Sequence, residues 1–272
     1  MSEQPILHHI RVAAKDAEPK LWLLMLHGIY GSGRNWGTIA RRLAEARPEW
    51  GVLLVDLRNH GQSQGFAPPH TLAASAADVD RLVEHLDFHA AAVMGHSFGG
   101  KVALMYAQHH GRELRQVWVM DSTLVVREPE GSAWRIIDSM RALPPEFASR
   151  AEAVSAIQGA GYDEGLARWL AINLEPAEGR YRWRIDWDVM EEMLRDYFRT
   201  DLWEVLVHPP AEVEIHVVKA TQSNSLDEEA ERRVEMAGTA NGRVHLHRLE
   251  GGHWINTDNP EAVIELLRSR LP

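Results

Sequence analysis

Gly95-His96-Ser97-Phe98-Gly99 stands between an apolar run at residues 91–94 and a stretch with helical spacing at residues 101–110. A strand, a tight turn and a helix in that order force the central serine into a sharp bend with its hydroxyl exposed. The amide of the next residue then faces the oxyanion that serine attack on a carbonyl carbon creates. A second Gly-x-Ser-x-Gly match, Gly61-Gln62-Ser63-Gln64-Gly65, also follows an apolar run. Phe66-Ala67-Pro68-Pro69 comes next, and prolines there cannot carry a helix onward. After Ser97, by contrast, Val102, Leu104, Met105 and Ala107 recur at helical spacing, with Gly111 placed to cap the helix. Ser97 is the candidate nucleophile, and Ser63 is a turn residue.

A serine hydroxyl is unreactive at neutral pH without a base, an acid to orient that base, and donors for the oxyanion. The loop after the apolar run at residues 21–26 is His27-Gly28-Ile29-Tyr30-Gly31-Ser32-Gly33, whose glycines let backbone come close to the serine. The amides of Ile29 and Phe98 are the expected oxyanion donors, with His27, Tyr30 and Trp254 as candidate pocket residues. The expected base is His253 in Gly251-Gly252-His253-Trp254, after the last strand. His96 adjoins the nucleophile, but successive side chains at such a turn diverge, and His27 and His60 fall in loops with structural or pocket roles. His245 and His247 alternate on a strand as a metal pair would, yet no third ligand is near in sequence, so the pair is read as a solvated face and no metal is expected. The acid is Asp121, at the end of the run at residues 117–120, with Asp227 as the alternative near the start of a later helix. The loop at residues 219–225 holds Asn224 and no carboxylate.

The elements that must position these groups alternate. Strands are expected at residues 6–13, 21–26, 52–55, 91–94, 117–120, 213–218 and 244–249. Helices are expected after Asn35, after Thr71, after Ser97, after a Ser225-x-x-Glu228 capping box and after Asn259-Pro260. Short apolar strands between amphipathic helices imply an α/β fold, with a mostly parallel sheet covered by helices on both faces. Between 127 and 208 the alternation breaks into helical text holding five of the ten tryptophans, with residues 181–185 the one strand candidate. The expected division is a core of residues 1–126 and 209–272 with a helical cap inserted at 127–208, its tryptophans roofing an apolar pocket.

With 272 residues and 45% hydrophobic content the chain can bury a full core. A net charge of −10 argues against a nucleic-acid partner or an anionic membrane surface. The absence of cysteine excludes disulfides, thiolate metal sites and a cysteine nucleophile. The first residues lack a basic and apolar signal pattern and no apolar run reaches spanning length, so a cytoplasmic protein without stable membrane anchoring is expected. Nothing in the pattern sets an oligomeric state.

Together these residues resemble the α/β-hydrolase superfamily, and within it the YbfF-like serine esterases and their mammalian abhydrolase-domain relatives. The likeness rests on Leu26-His27-Gly28 with Gly31-Ser32, and on Asp56-x-Arg58-Asn59-His60-Gly61-x-Ser63. It continues through Gly95-His96-Ser97-x-Gly99-Gly100-Lys101, and Gly252-His253-Trp254 with Asn259-Pro260-Glu261-Ala262-Val263; Arg182-Trp183-Arg184 extends it into the cap. The resemblance implies an acid after the strand that follows the nucleophile helix, favouring Asp121, and it makes Asn224 expected. Ile29-Tyr30 and Ser122-Thr123 depart from the group's pattern, and Tyr30 would add a hydroxyl to the acyl pocket. The expected activity is hydrolysis of a small-molecule carboxylic ester or thioester through an acyl-enzyme, with no cofactor. Carbon–carbon hydrolases and perhydrolases share such a triad, and a non-catalytic receptor shares such a scaffold. A histidine base predicts a rate that rises through about pH 6–7, which a pH–rate profile on a soluble ester measures.

Overall fold

The computed structural model describes residues 5–87, 89–110 and 114–272. The helix cap expected at Gly111 lies outside them. Seven strands form the main sheet: β1 (His9–Val12), β2 (Leu21–Leu26), β3 (Trp50–Val55), β4 (Ala90–His96), β5 (Gln116–Met120), β9 (Glu214–Ala220) and β10 (Val244–Leu249). Their spatial order is β1-β3-β2-β4-β5-β9-β10, with β1 antiparallel and every other neighbouring pair parallel. This is the α/β-hydrolase arrangement. The central strands are buried on both faces, which is why β3, β4 and β5 are apolar runs without polar alternation.

Two hydrophobic clusters cover the two faces. On one, α1 (Gly37–Ala46) and α11 (Pro260–Arg270) pack Ile39, Leu43, Val263 and Leu267 against Met25, Val52 and Met120. On the other, α2 (Leu72–Leu86), α3 (Phe98–His110) and α9 (Glu228–Asn241) pack on Leu24, Val93 and Val217. Thr71 caps α2 through the Ala74 amide, and Asn259 caps α11 through that of Ala262. Two expected caps differ. Asn35 closes a 3-10 turn by accepting from the Ser32 amide, and α1 starts after Trp36. The cap of α9 is Asp227, accepting from Ala230, so Ser225 is free for another contact.

Between β5 and β9 run α4 (Ser132–Arg141), α5 (Arg150–Gly159), α6 (Glu164–Leu170), α7 (Trp187–Arg199) and α8 (Trp203–Val207). The segment also holds a three-stranded antiparallel sheet of β6 (Glu146–Phe147), β7 (Leu174–Ala177) and β8 (Arg180–Trp183), where the sequence pattern offers a single strand candidate. Its buried side chains, among them Met190, Met193 and Leu194, are continuous with the α3 side of the core. No helix among the described residues is long and apolar enough to cross a membrane.

A buried ammonium ties this segment to α3. Lys101 on α3 is fully buried and donates to the carbonyls of Val125, Tyr197 and Thr200 at 3.2, 2.7 and 2.6 Å. Burial lowers its pKa to about 8. Lys101→Met keeps the stem but strands one buried and two partly buried carbonyls, each costing about 1 kcal/mol or more. Chemical denaturation is expected to show a loss of at least ~2 kcal/mol.

Candidate active site

Five loops meet at the carboxyl edge of the sheet, where open α/β sheets bind ligands. Ser97 follows β4 directly and takes φ of +50°, a left-handed conformation costly for a serine. The turn is possible only because of its glycines. A Cβ on Gly95 would lie 1.9 Å from the Gly99 carbonyl oxygen, and one on Gly99 would lie 2.5 Å from that of His27. The Ser97 amide donates to the Met120 carbonyl at 2.9 Å, fixing the turn beside the end of β5.

Asp121 follows Met120 and is fully buried. Its Oδ2 lies 2.6 Å from His253 Nδ1 and accepts from Ser223 Oγ at 2.5 Å, while Oδ1 accepts from the Ala220 amide at 3.0 Å. Burial pushes this carboxyl up, but the bonds from His253, Ser223 and the Ala220 amide outweigh it, and the pKa falls below the usual aspartate value. The carboxylate is thus charged wherever the protein is folded near neutrality. Asp227, the alternative, caps α9 and pairs with Arg127 at 2.8 Å on the surface.

With Nδ1 turned to Asp121, His253 keeps Nε2 as the nitrogen without a hydrogen-bond partner among the described residues. Ser97 and His253 line one cavity of about 590 Å³, together with Ile29, Phe98, Leu194, Tyr197 and Phe198. No hydrogen bond joins the Ser97 hydroxyl to His253 in this state; catalytic contacts of this kind commonly tighten only with substrate bound. The Ser97 hydroxyl instead neighbours the Tyr197 phenol, which Ser122 Oγ meets at 3.2 Å. Burial raises the Tyr197 pKa, and bonding to Ser122, the Thr123 amide and Ser97 only partly offsets that, so the phenol is neutral. The amides of Ile29 and Phe98 are not engaged by any described residue, as an oxyanion site requires.

Residues 23–266 match the model of the alpha/beta hydrolase family. The chain belongs to that family. It is 24% identical over 254 residues to the esterase YbfF of Escherichia coli, covering 92% of each protein. It is 26% identical over 259 residues to the lipase LipV of Mycobacterium tuberculosis, again covering 92% of each. A mouse sn-1-specific diacylglycerol lipase is 28% identical over 177 residues, 63% of this chain and 57% of that protein, so the match spans less than two thirds of the mouse relative's length. Among solved structures, a marine microorganism esterase superposes with a TM-score of 0.84 at 24% identity, covering 98% of this chain and 99% of that one, which shows the shared fold.

Several hydrolase residues sit differently from the sequence expectation. The Tyr30 hydroxyl does not line the cavity of Ser97; it donates to the Ala133 carbonyl at 2.7 Å and anchors the start of α4. His27 and Trp254 line a neighbouring cavity of about 380 Å³ with His96 and Trp169. Both His27 nitrogens are engaged, with the Leu57 amide and the Gly28 carbonyl. No tryptophan lines the Ser97 cavity, because those of residues 127–208 pack elsewhere: Trp134 on Phe198, Trp183 on Trp187, Trp169 on Trp254, and Trp203 beneath Arg233. Its rim carries Arg127, Glu128, Glu130 and Arg135. His245 and His247 are partly exposed but not isolated; they stack with His216 on the neighbouring strand.

Four supporting residues escaped the sequence reading. His96 Nε2 meets the His253 carbonyl at 2.7 Å, and burial holds its pKa near 3, leaving a neutral donor. A Cβ on Gly28 would come within 2.9 Å of the His96 ring, so that glycine admits the imidazole. Ser223 and Ser225 complete the set; Ser225 Oγ lies 3.1 Å from His253 Nδ1, and Lys219 holds their loop through the Ser223 carbonyl. Hydroxyls in a loop empty of carboxylates were the signal, legible only once the acid is placed on β5. Ser223→Ala removes one charge-assisted bond from Asp121, worth about 1.5–3 kcal/mol. A carboxylate with one donor fewer attracts the protonated imidazole of His253 more strongly, so the acid limb of the kcat/KM profile is expected to move to higher pH.

Proposed function

We propose that the chain is a serine hydrolase of carboxylic esters or thioesters of modest acyl size. The observation that carries this is the buried, charged Asp121 gripping His253 Nδ1 at 2.6 Å, with the strained Ser97 on the same cavity. The names of the bacterial relatives, an esterase and a lipase, support the same reading.

The chemistry follows from which atoms are available. Ser97 Oγ attacks the ester carbonyl carbon as its proton passes to His253 Nε2, and the carbonyl oxygen takes the negative charge. The amides of Ile29 and Phe98 donate to that oxygen. Collapse of the tetrahedral species expels the alcohol, which leaves with the proton from His253, and the acyl group stays on Ser97. Water then attacks the acyl-enzyme with His253 again as base, releasing the acid. Asp121 holds the imidazole tautomer with Nδ1 protonated and offsets the charge that forms on the ring. In this reading residues 127–208 are a cap, and Ala133, Leu194, Tyr197 and Phe198 supply the acyl-facing wall. A volume of about 590 Å³ suits a ligand of modest size.

Ser97→Ala is expected to abolish turnover of a p-nitrophenyl ester and labelling by a fluorophosphonate, with circular dichroism unchanged. Turnover that persists in this variant would refute the nucleophile. Asp121→Asn is expected to lower kcat by ~10⁴-fold, because the amide fixes the wrong tautomer. A panel of esters, dienoic diketone acids, and acetate with peroxide distinguishes ester hydrolysis from carbon–carbon cleavage and perhydrolysis. Unlabelled Ser97 in folded protein would instead indicate a receptor.

A further inference from the structure

His216 and His245 lie near the amino-terminal ends of β9 and β10, several residues from the carboxyl edge along each strand. Strand register sets His216 beside His245, and Trp118 on β5 stacks on the His216 ring with centroids 4.0 Å apart. His216 Nδ1 lies 2.9 Å from His247 Nε2, so one proton is shared between them. The other nitrogen, His216 Nε2, is buried without a hydrogen-bond partner. It faces Glu214 Oε2 at 3.5 Å, and His245 Nε2 faces Glu214 Oε1 at 3.8 Å. One ligand atom from each of the three residues falls within 4.8 Å of the other two.

We propose that Glu214, His216 and His245 form a binding site for one divalent transition-metal ion, of which zinc is the best match. Two nitrogens and one carboxylate oxygen are a zinc donor set. Bonds of about 2.1 Å at tetrahedral angles place such ligands ~3.4 Å apart. The His216–Glu214 separation already meets that spacing, and the partly exposed His245 can close the remainder.

Two of the three ligands are also oriented from behind. His247 accepts the Nδ1 proton of His216 and leaves a bare lone pair on Nε2, which otherwise opposes the Glu214 carboxylate across 3.5 Å. A cation between the two satisfies both that lone pair and the carboxylate, and its binding selects the tautomer with the proton on Nδ1. Glu214 Oε2 accepts from Gln116 Nε2 at 3.1 Å, and Gln116 Oε1 accepts from the Trp118 indole at 3.1 Å, which fixes the amide's orientation. Of the three ligands, His245 also lines a cavity of about 490 Å³, with His247 and Glu235. Arg270 lines the same cavity and opposes incoming positive charge, so micromolar binding is the expectation. An ion here bridges β9 to the edge strand β10, whose following loop carries His253.

The test is zinc titration of tag-free, chelator-stripped protein against a competing chromophoric chelator, with cobalt absorption as a second readout. Wild type and Ser97→Ala are expected to take up one ion each with equal affinity and to melt at higher temperature when loaded. Since Ser97→Ala abolishes turnover, the result is independent of the proposed catalytic role. Glu214→Gln and His245→Ala, both at partly exposed positions, are expected to weaken binding at least tenfold. His247→Ala is expected to weaken it about tenfold through loss of ring orientation. Absence of stoichiometric uptake by the wild type would overturn the proposal, as would uptake unchanged in folded His245→Ala.

Discussion

Crowding of backbone against backbone at the end of β4 sets the rest of the carboxyl edge. The Gly99 carbonyl occupies the space of a Gly95 side chain, and the His27 carbonyl that of a Gly99 side chain. A left-handed serine is tolerated between them because β4 is central, with β2 and β5 bonded on either side. The same crowding brings the His27–Tyr30 loop against the turn, and Ile29 and Phe98 line one cavity with Ser97. Strand pairing does the remaining work. His96 is in register with Met120, so the residues that follow them, Ser97 and Asp121, start side by side.

Placing the acid on β5 changes the task of the loop after β9. That loop contributes donors: the Ala220 amide and the Ser223 hydroxyl bond to Asp121, and the Ser225 hydroxyl faces His253 Nδ1. A carboxylate buried this deeply stays ionised only where several donors converge, since desolvation alone favours the neutral acid. Two serines in one loop and an aspartate just after the adjoining strand therefore form a single electrostatic unit. Asn224 sits in that loop without touching the acid; its carbonyl accepts from Arg127.

The sheet strands, the flanking helices and the order of the site loops were legible in the sequence because each depends on local pattern. Apolar runs without alternation mark buried parallel strands, and Thr71 and Asn259-Pro260 mark helix starts. The elbow, too, is a local motif. What escaped was set by contact between distant segments. Ser225 resembles a capping residue until Asp227 takes the cap and leaves its hydroxyl for His253. Tyr30 resembles a pocket residue until Ala133, over a hundred positions away, accepts its hydroxyl. His245 and His247 look like an isolated pair because their third and fourth neighbours, Glu214 and His216, belong to another strand. Tryptophan content could not say which rings line a cavity and which pack on one another.

Lys101 limits how the segment over the cavity can move. Its ammonium holds Val125, which enters the segment, and Tyr197 and Thr200, which leave it. The Tyr197 phenol meanwhile reaches Ser122 and Ser97 at the base of the cavity. Lifting the segment about its two stems would strand a buried cation and three carbonyls at once, at a cost of several kcal/mol. Helices α4 to α6 carry no such clamp to α3. Tyr30 reaches the start of α4 through its hydroxyl and Asn173, just after α6, through its carbonyl at 2.8 Å, and Trp169 on α6 rests on Trp254 with ring centroids 4.5 Å apart; these neutral contacts separate at lower cost than a buried cation. Substrate entry that needs more room than the resting cavity gives therefore has to displace the middle of the segment. The stems, and with them Tyr197, stay fixed on α3.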